Sequence, residues 1–273
     1  MSAAPFSPGG NSAVPASTVA RPVAAGTRPV GILGGMGPAA GVDFVRLFLG
    51  ACEAVLREKG LAIVDQAFPE HWLAQIPVVD RSRALLEDDA PQPLDEMERA
   101  VGRLAVVGAC AVAIACNTAH AWHAALQRAR PEVELLHIAR ETAGDLKARG
   151  VEVAVLLATQ GTYRMRLYQD AFDECGIQCL LPLHEEQLTL MEGIYDGVKA
   201  GRLDFARERF GGVAQAVHRR HGGVPMVMGC TEIPLALPFV EGAREWTLVD
   251  PAEVLARALA RRAYGLGRMG TSR

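Results

Sequence analysis

The sequence predicts an α/β protein of two similar lobes, each built on a parallel sheet, with its site in the cleft between them. Three observations carry this. Residues 30–33, 111–115 and 224–228, and 151–158 apart from Glu152, are short apolar runs bounded by glycine or polar residues, as strands buried on both faces require. Stretches of helical length and spacing alternate with these runs, the mark of βαβ units. The order strand, loop, helix, then a strand ending in cysteine occurs twice. It closes on Ala115-Cys116-Asn117-Thr118-Ala119-His120 in the first half and on Gly229-Cys230-Thr231-Glu232 in the second.

The bulk properties bound the function. A chain of 273 residues suffices for one large or two modest domains. With 28 basic and 31 acidic residues the net charge is −3, which suggests neither a nucleic-acid patch nor an acidic tail. No apolar run approaches the roughly 18 to 20 residues of a membrane span. Cys52, Cys110, Cys116, Cys175, Cys179 and Cys230 form neither a disulfide framework nor a zinc-ligand spacing. Free thiols in this number suit the cytoplasm. Of them, Cys52, Cys110, Cys175 and Cys179 read as packing residues. Residues 1–28 are rich in Ala, Pro, Ser and Gly without an acid, and are expected to be a disordered leader. A Ser-rich, acid-poor stretch also suits a transit peptide, but Pro5, Pro8, Pro15 and Pro22 break an amphipathic helix there and favour a dispensable extension, and the apolar segment of a secretory signal is not seen. Residues 29–137 with 248–273 then make the N-terminal lobe, and 138–247 the C-terminal lobe.

In order, the first strand at 30–33 enters Gly34-Gly35-Met36-Gly37-Pro38. Pro38 suits a first helical position, so a helix is expected over 38–59. The glycines allow a tight turn whose N–H groups can face an anion. Gly35, Gly37 and Ala40 also satisfy G-x-G-x-x-A, but the acid expected about 20 residues on falls inside the helix, so dinucleotide binding is disfavoured. Residues 61–67 read as the second strand. Residues 68–93 read as a long active-site loop with a short helix at 81–88. It carries Arg81 and Arg83, and an arginine over a pocket can clamp a carboxylate bidentately. A helix at 94–107 leads to the strand ending at Cys116, followed by a helix at 120–130 and a short strand at 134–138. In the second half the strand at 151–158 enters Thr159-Gln160-Gly161-Thr162, then a helix at 163–175 and a strand at 177–180. Helices at 185–199 and 203–220 precede the strand ending at Cys230. A strand at 246–249 and a helix at 251–264 close the chain.

Each cysteine thus stands where a strand ends and a helix begins, where backbone N–H groups and the helix dipole favour a thiolate. Ligands of parallel sheets bind beyond the carboxyl ends of the strands, so both thiols should face one cleft. Two thiols, one per lobe, suggest an acid and a base on opposite faces of one carbon.

With these residues in view the chain resembles the aspartate/glutamate racemase family, its aspartate racemase branch above all. The resemblance rests on Gly34-Gly35-Met36-Gly37-Pro38, Cys116-Asn117-Thr118-Ala119-His120, Leu157-Ala158-Thr159-Gln160-Gly161-Thr162 and Gly229-Cys230-Thr231-Glu232, in that order. It runs over about 30–264. It implies flavodoxin- or Rossmann-like lobes related by a pseudo-twofold axis, and an isomerase that needs no cofactor and no metal. The substrate would be a small acidic amino acid, aspartate before glutamate. One of Cys116 and Cys230, as thiolate, would remove the α-proton, and the other, as thiol, would protonate the opposite face. Substrate contacts are implied for Gly35, Met36, Gly37, Arg81, Asn117, Thr118, Thr159, Lys199 and Thr231. Arg81, in Asp80-Arg81-Ser82, resembles the family's carboxylate-binding arginine. Lys199, in Tyr195-Asp196-Gly197-Val198-Lys199, resembles its companion. A cytoplasmic homodimer without nucleic-acid or membrane partners is expected.

Other readings stand beside this one. The fold also serves maleate isomerases, in which one cysteine attacks carbon as a nucleophile, hydantoin racemases and arylmalonate decarboxylases. Members lacking one cysteine act on a single enantiomer or decarboxylate, so the presence of both favours a racemase. Residues 71–79 are bulkier than the family pattern, which leaves the size of the substrate side chain open. Thr118 and Thr231 also suit helix caps. His120 reads as a structural hydrogen-bonding residue, and Glu232 as a residue suited to a helix N-terminus. A non-enzymatic module on the glycine turn, and a Cys116–Cys230 disulfide switch with sulfurs about 2 Å apart, are the remaining alternatives.

Overall fold

A computed structural model describes residues 26–267. The leader expected at 1–28 lies outside the described residues except for its last three. Among these, the Arg28 N–H donates to Ala263 O at 2.8 Å.

Strand β1 (Val30–Gly34) is buried along its whole length, as its apolar run predicts. It lies between β2 (His71–Gln75) and β3 (Ala111–Ile114), with β4 (Glu134–Leu135) beyond β3. In the second sheet β5 (Val153–Ala158) lies between β6 (Gln178–Leu180) and β7 (Met226–Gly229), with β8 (Leu248–Val249) beyond β7. All ladders are parallel. The orders β2-β1-β3-β4 and β6-β5-β7-β8 are one permutation used twice, which places a switch point beside the central strand of each sheet.

Register brings the motifs together. Leu33 lies opposite Ile114, and the next residue, Ala115, donates its N–H to Leu33 O at 2.8 Å. The glycine turn and Cys116 therefore leave the first sheet side by side. In the second sheet Ala158 lies opposite Gly229, so Thr159 and Cys230 leave it side by side too.

Helices cover both faces. Helix α1 (Pro38–Glu58) starts with Pro38 in its first turn, where the missing N–H is not needed. Its buried stripe includes Phe44, Phe48, Cys52, Val55 and Leu56 at helical spacing. That stripe shares one core with Val30, Ile32, Ala111 and Ala113 of the sheet and with Leu255, Leu259 and Ala263 of the last helix. The short α2 (Arg81–Leu86) is capped by Asp80, and α3 (Leu94–Val106) packs Met97, Val101 and Leu104 on the opposite sheet face. After Cys116 come a 3₁₀ turn, Thr118–Trp122, and α4 (His123–Ala129). Helices α5 (Ile138–Ala148), α6 (Gln160–Arg164) and α7 (Leu167–Cys175) follow. Of these, α5 and α7 bury Leu146, Tyr168 and Phe172 against Leu156 and Val227. Then α8 (His184–Glu192) runs into a π-helical turn, Gly193–Val198. Helix α9 (Leu203–His221) sets Phe210, Val213 and Val217 against Val155, Leu157 and Met228. Helix α10 (Pro251–Ala263), capped by Asp250, returns to cover the first sheet.

Several sequence expectations are corrected. The second strand is His71–Gln75, not 61–67, where Ile63 and Val64 are exposed. An edge strand half open to water, with Trp72 and Leu73 exposed, lacks the apolar run that marks a central one. The strand after α4 stops at Leu135, and α5 follows. That helix escapes notice because its buried face is mostly Ala139, Thr142 and Ala143, which contrast little with their polar neighbours. The helix expected over 163–175 is two, broken at Arg166 in the left-handed region (φ 52°). The helix expected over 185–199 ends in the π-turn.

Among the described residues no helix is long and apolar enough to cross a membrane, and no group of His, Cys, Asp and Glu is placed to hold a metal ion.

Candidate active site

Four strand ends meet between the lobes. Beyond β1 and β3 lie Met36, Cys116, Asn117 and Thr118. Beyond β5 and β7 lie Thr159, Cys230, Thr231 and Glu232. All of them, with Arg81 and Lys199, line one narrow pocket. Cys116 and Cys230 are 5% and 6% exposed, so the thiols face this pocket rather than bulk water. Its volume, 10 Å³, is about one water position, too small for an amino acid as the pocket stands.

An outer cavity of 480 Å³ adjoins it, walled by Gly35, Gly37, Pro38, Val78, Val198 and Leu235. Asp80, Arg81, Lys199 and Glu232 line both spaces and form a charged threshold between them. Gly35 takes φ +93°, and a Cβ there would collide with the Ile76 backbone. A Cβ on Gly37 would come 3.3 Å from Glu232 Oε1. Of the glycine turn, then, Met36 reaches the inner pocket, and Gly35 and Gly37 line the outer one.

Arg81 is buried and already committed. Its Nη1 donates to Val79 O at 3.0 Å and Val78 O at 3.3 Å, and its Nη2 to Met36 O at 2.6 Å. It thereby ties α2 to the turn after β1. Its Nε has no partner among the described residues. Burial alone would lower the guanidinium, but Cys116 beside it, then Asp80 and Glu232, hold it above the usual arginine value.

Lys199, at the end of the π-turn, lies 3.8 Å from Asp80 Oδ2 and 4.2 Å from the centre of the Tyr195 ring. Burial pulls its ammonium down, but Glu232, then Tyr195 and Cys230, outweigh this and raise it. Tyr195 also donates its hydroxyl to Asp80 at 2.9 and 3.0 Å, so Asp80 receives a lobe-to-lobe clamp. Burial would raise the Asp80 carboxyl, but the Arg83 N–H, then Lys199 and Tyr195, bring it below the usual value.

The hydroxyls of Thr118, Thr159 and Thr162 bond one another across the lobes at 3.0 to 3.2 Å. Thr231 Oγ1 donates to Glu232 Oε2 at 3.2 Å. The threonines are therefore at the pocket, but their hydroxyls bond protein. Asn117 accepts a short hydrogen bond from Tyr168 at Oδ1 and leaves a buried Nδ2 without a partner among the described residues. Unpartnered buried donors at a pocket are where a ligand oxygen would be bound.

The turns after the cysteines correct one expectation. Each is a 3₁₀ turn, Thr118–Trp122 and Ile233–Leu235, not an α-helix N-terminus, so no helix dipole of useful length points at either sulfur. Burial, and then Glu232, push the Cys230 thiol well above its ordinary value.

His120 is structural in its contacts. Its Nδ1 lies 2.9 Å from Cys116 O and its Nε2 3.3 Å from Leu136 O, and a neutral ring donates to one of them. No sequence signal assigns a role to Asp80, Tyr195, Tyr168 or Thr162. Asp80 and Tyr195 stand inside recognised segments, yet 115 positions separate them, and only folding pairs them.

Two parallel α/β lobes facing one another across such a pocket define the two-domain racemase class. The chain belongs to the Asp/Glu/Hydantoin racemase family, whose profile matches residues 33–259. The aspartate racemase of Picrophilus torridus is similar in structure, with a TM-score of 0.71 and 27% identity over 87% of this chain and 94% of that one. The broad specificity amino-acid racemase RacX of Bacillus subtilis is 27% identical over 162 residues, 58% of this chain and 66% of RacX. The glutamate racemase of Deinococcus radiodurans is 29% identical over 171 residues, 60% of this chain and 56% of that enzyme. These relatives are isomerases.

Proposed function

We propose that the chain is a cofactor-independent racemase of acidic amino acids, aspartate first, working by proton transfer between Cys116 and Cys230 on opposite faces of the α-carbon. The observation that carries this is the convergence of two thiols, one from each lobe, on a single pocket. An α-proton is a very weak acid, so the carbanion must be held by placed donors in a dry cleft. Asn117 Nδ2 and Arg81 Nε are buried and unpartnered among the described residues, and suit a carboxylate whose charge grows as the proton leaves. The Lys199 ammonium suits a second carboxylate that displaces Asp80. Positioned proton transfer contributes about 10²- to 10⁴-fold, and each placed donor about 10²- to 10³-fold. The names of the P. torridus and D. radiodurans relatives support acidic substrates. Six free thiols support a cytoplasmic enzyme.

The test is incubation with L-aspartate and L-glutamate in D₂O, read by mass spectrometry and chiral chromatography. The reading expects α-deuteration and the D-isomer, with formation of the D-isomer lost in both Cys116→Ser and Cys230→Ser. Absence of both for every acidic amino acid tried rejects it. A succinyl adduct on Cys116 after maleate would instead mark an isomerase.

A further inference from the structure

We infer that Glu232 is a positioning residue that keeps Cys230 as the proton-bearing thiol of the resting enzyme, leaving Cys116 to take the first α-proton. The inference rests on the two-cysteine reading above and concerns which sulfur starts with the proton.

Glu232 is 4% exposed, and its carboxylate is turned onto the cysteine rather than outward. Oε2 accepts from Cys230 Sγ at 3.0 Å and from Thr231 Oγ1 at 3.2 Å, while Oε1 stands against Gly37. An S–H can donate to that oxygen. A thiolate cannot, and would set two negative charges about 3 Å apart in a buried site. The other cysteine has the opposite neighbour, the buried Arg81 guanidinium.

Charged and titratable groups face Cys230 from both lobes. Lys199, from the π-turn, favours its thiolate. Burial opposes it most and the Glu232 carboxylate adds to burial, while the Glu232 backbone N–H, like Lys199, works the other way. Tyr163 of α6 and Tyr168 of α7 feel Cys230, but burial holds both phenols neutral. Arg81, Asp80 and Cys116 line the same pocket from the first lobe. Burial and the Glu232 carboxylate together outweigh Lys199, and the S–H donated to Oε2 fixes where the proton sits.

The proton balance follows. The Cys116 sulfur takes the α-hydrogen, and the electron pair of the broken C–H bond stays on the substrate, spread into its carboxylate. The Cys230 S–H bond breaks, and its proton forms the new C–H bond on the opposite face. The enzyme is left with Cys116 protonated and a Cys230 thiolate against Glu232. That repulsion favours the reset, in which Cys230 takes a proton from water and Cys116 returns one to water.

The test is thiolate absorbance at 240 nm against pH. Wild type minus Cys230→Ser reports Cys230 alone. It is expected to give no thiolate signal up to pH 8. The same difference in a Glu232→Gln background should titrate lower by roughly one pH unit or more, with Glu232→Asp restoring the wild-type curve at least in part. A Cys230 thiolate at pH 7 in wild type overturns the inference, as does a Cys230 titration unmoved by Glu232→Gln. If Glu232→Gln does not fold, the wild-type comparison still decides. These readings need no turnover. An inactive protein would reject the racemase function while the titration still speaks. An active one with an unmoved Cys230 rejects this inference alone.

Discussion

The hydroxyl of Thr118, at a strand end of the first lobe, lies 3.0 Å from that of Thr159, at a strand end of the second. Thr162 closes the triangle, 3.2 Å from Thr118 and 3.0 Å from Thr159. The lobes are thus fastened together beside Asn117, itself held by Tyr168 of the second lobe. Any parting of the lobes at this point would break these bonds.

Thr118→Val removes one corner while Thr159 and Thr162 keep each other. Stability should fall by only about 1 kcal/mol. Turnover should fall further, by up to roughly 10²-fold, because small misplacements of reacting groups cost more than a lost bond. Urea midpoints and initial rates on one preparation separate the two effects. Equal losses in both would mean the triangle serves stability alone.

Tyr195→Phe should act mainly on substrate capture. The lost hydroxyl leaves Asp80 to Lys199, the cation proposed for the substrate. KM should rise several-fold with kcat nearly unchanged. A fall in kcat at constant KM would contradict this role of Asp80.

Gly35→Ala should be strongly destabilising, by roughly 1–3 kcal/mol from the left-handed φ alone, with the collision against Ile76 added. Calorimetry should record a clear drop in Tm. A wild-type Tm would show that the turn after β1 can be rebuilt.

Acid should unfold the protein early. His120, His123 and His137 pack ring to ring, with centroids 4.8 to 6.0 Å apart. Burial, then His123, pushes His120 from 6.5 down to about 4. Burial, then His120 and His123, pushes His137 down to about 2. Below pH 6.5 the unfolded chain binds protons that the folded chain refuses, so stability is lost as pH falls. His120 alone accounts for a loss on the order of 3 kcal/mol by pH 4. Asp250 works in the opposite direction, since burial lifts its carboxyl to about 6 and the folded chain protonates first. One carboxylate offsets about one histidine, so the net slope remains that of the histidines. Urea midpoints between pH 7 and pH 4 should fall steadily, and a flat profile would contradict the uncharged trio.

The parts of the site legible in the sequence are those carried by short segments. Cys116 and Cys230 announce themselves because a buried parallel strand leaves an unbroken apolar run, and a cysteine at its end sits where ligands bind. Arg81 and Lys199 were found through their motifs and do reach the pocket, but the backbone carbonyls that hold Arg81 and the carboxylate facing Lys199 were not legible. By sequence Glu232 suits a helix start. No α-helix follows it, and its carboxylate turns back onto Cys230.

What the sequence determined alone was the repeated strand–cysteine unit, the glycine turn and the central strands of both sheets, because apolar periodicity and turn chemistry act over a few residues. What tertiary structure decided was the pairing across lobes: Thr118 with Thr159, Tyr195 with Asp80, the last helix with the first sheet, and the opposite charges set beside the two thiols. Those pairings join residues far apart in the chain, and side-chain position and burial, which set their hydrogen bonds and electrostatics, exist only once the lobes have closed.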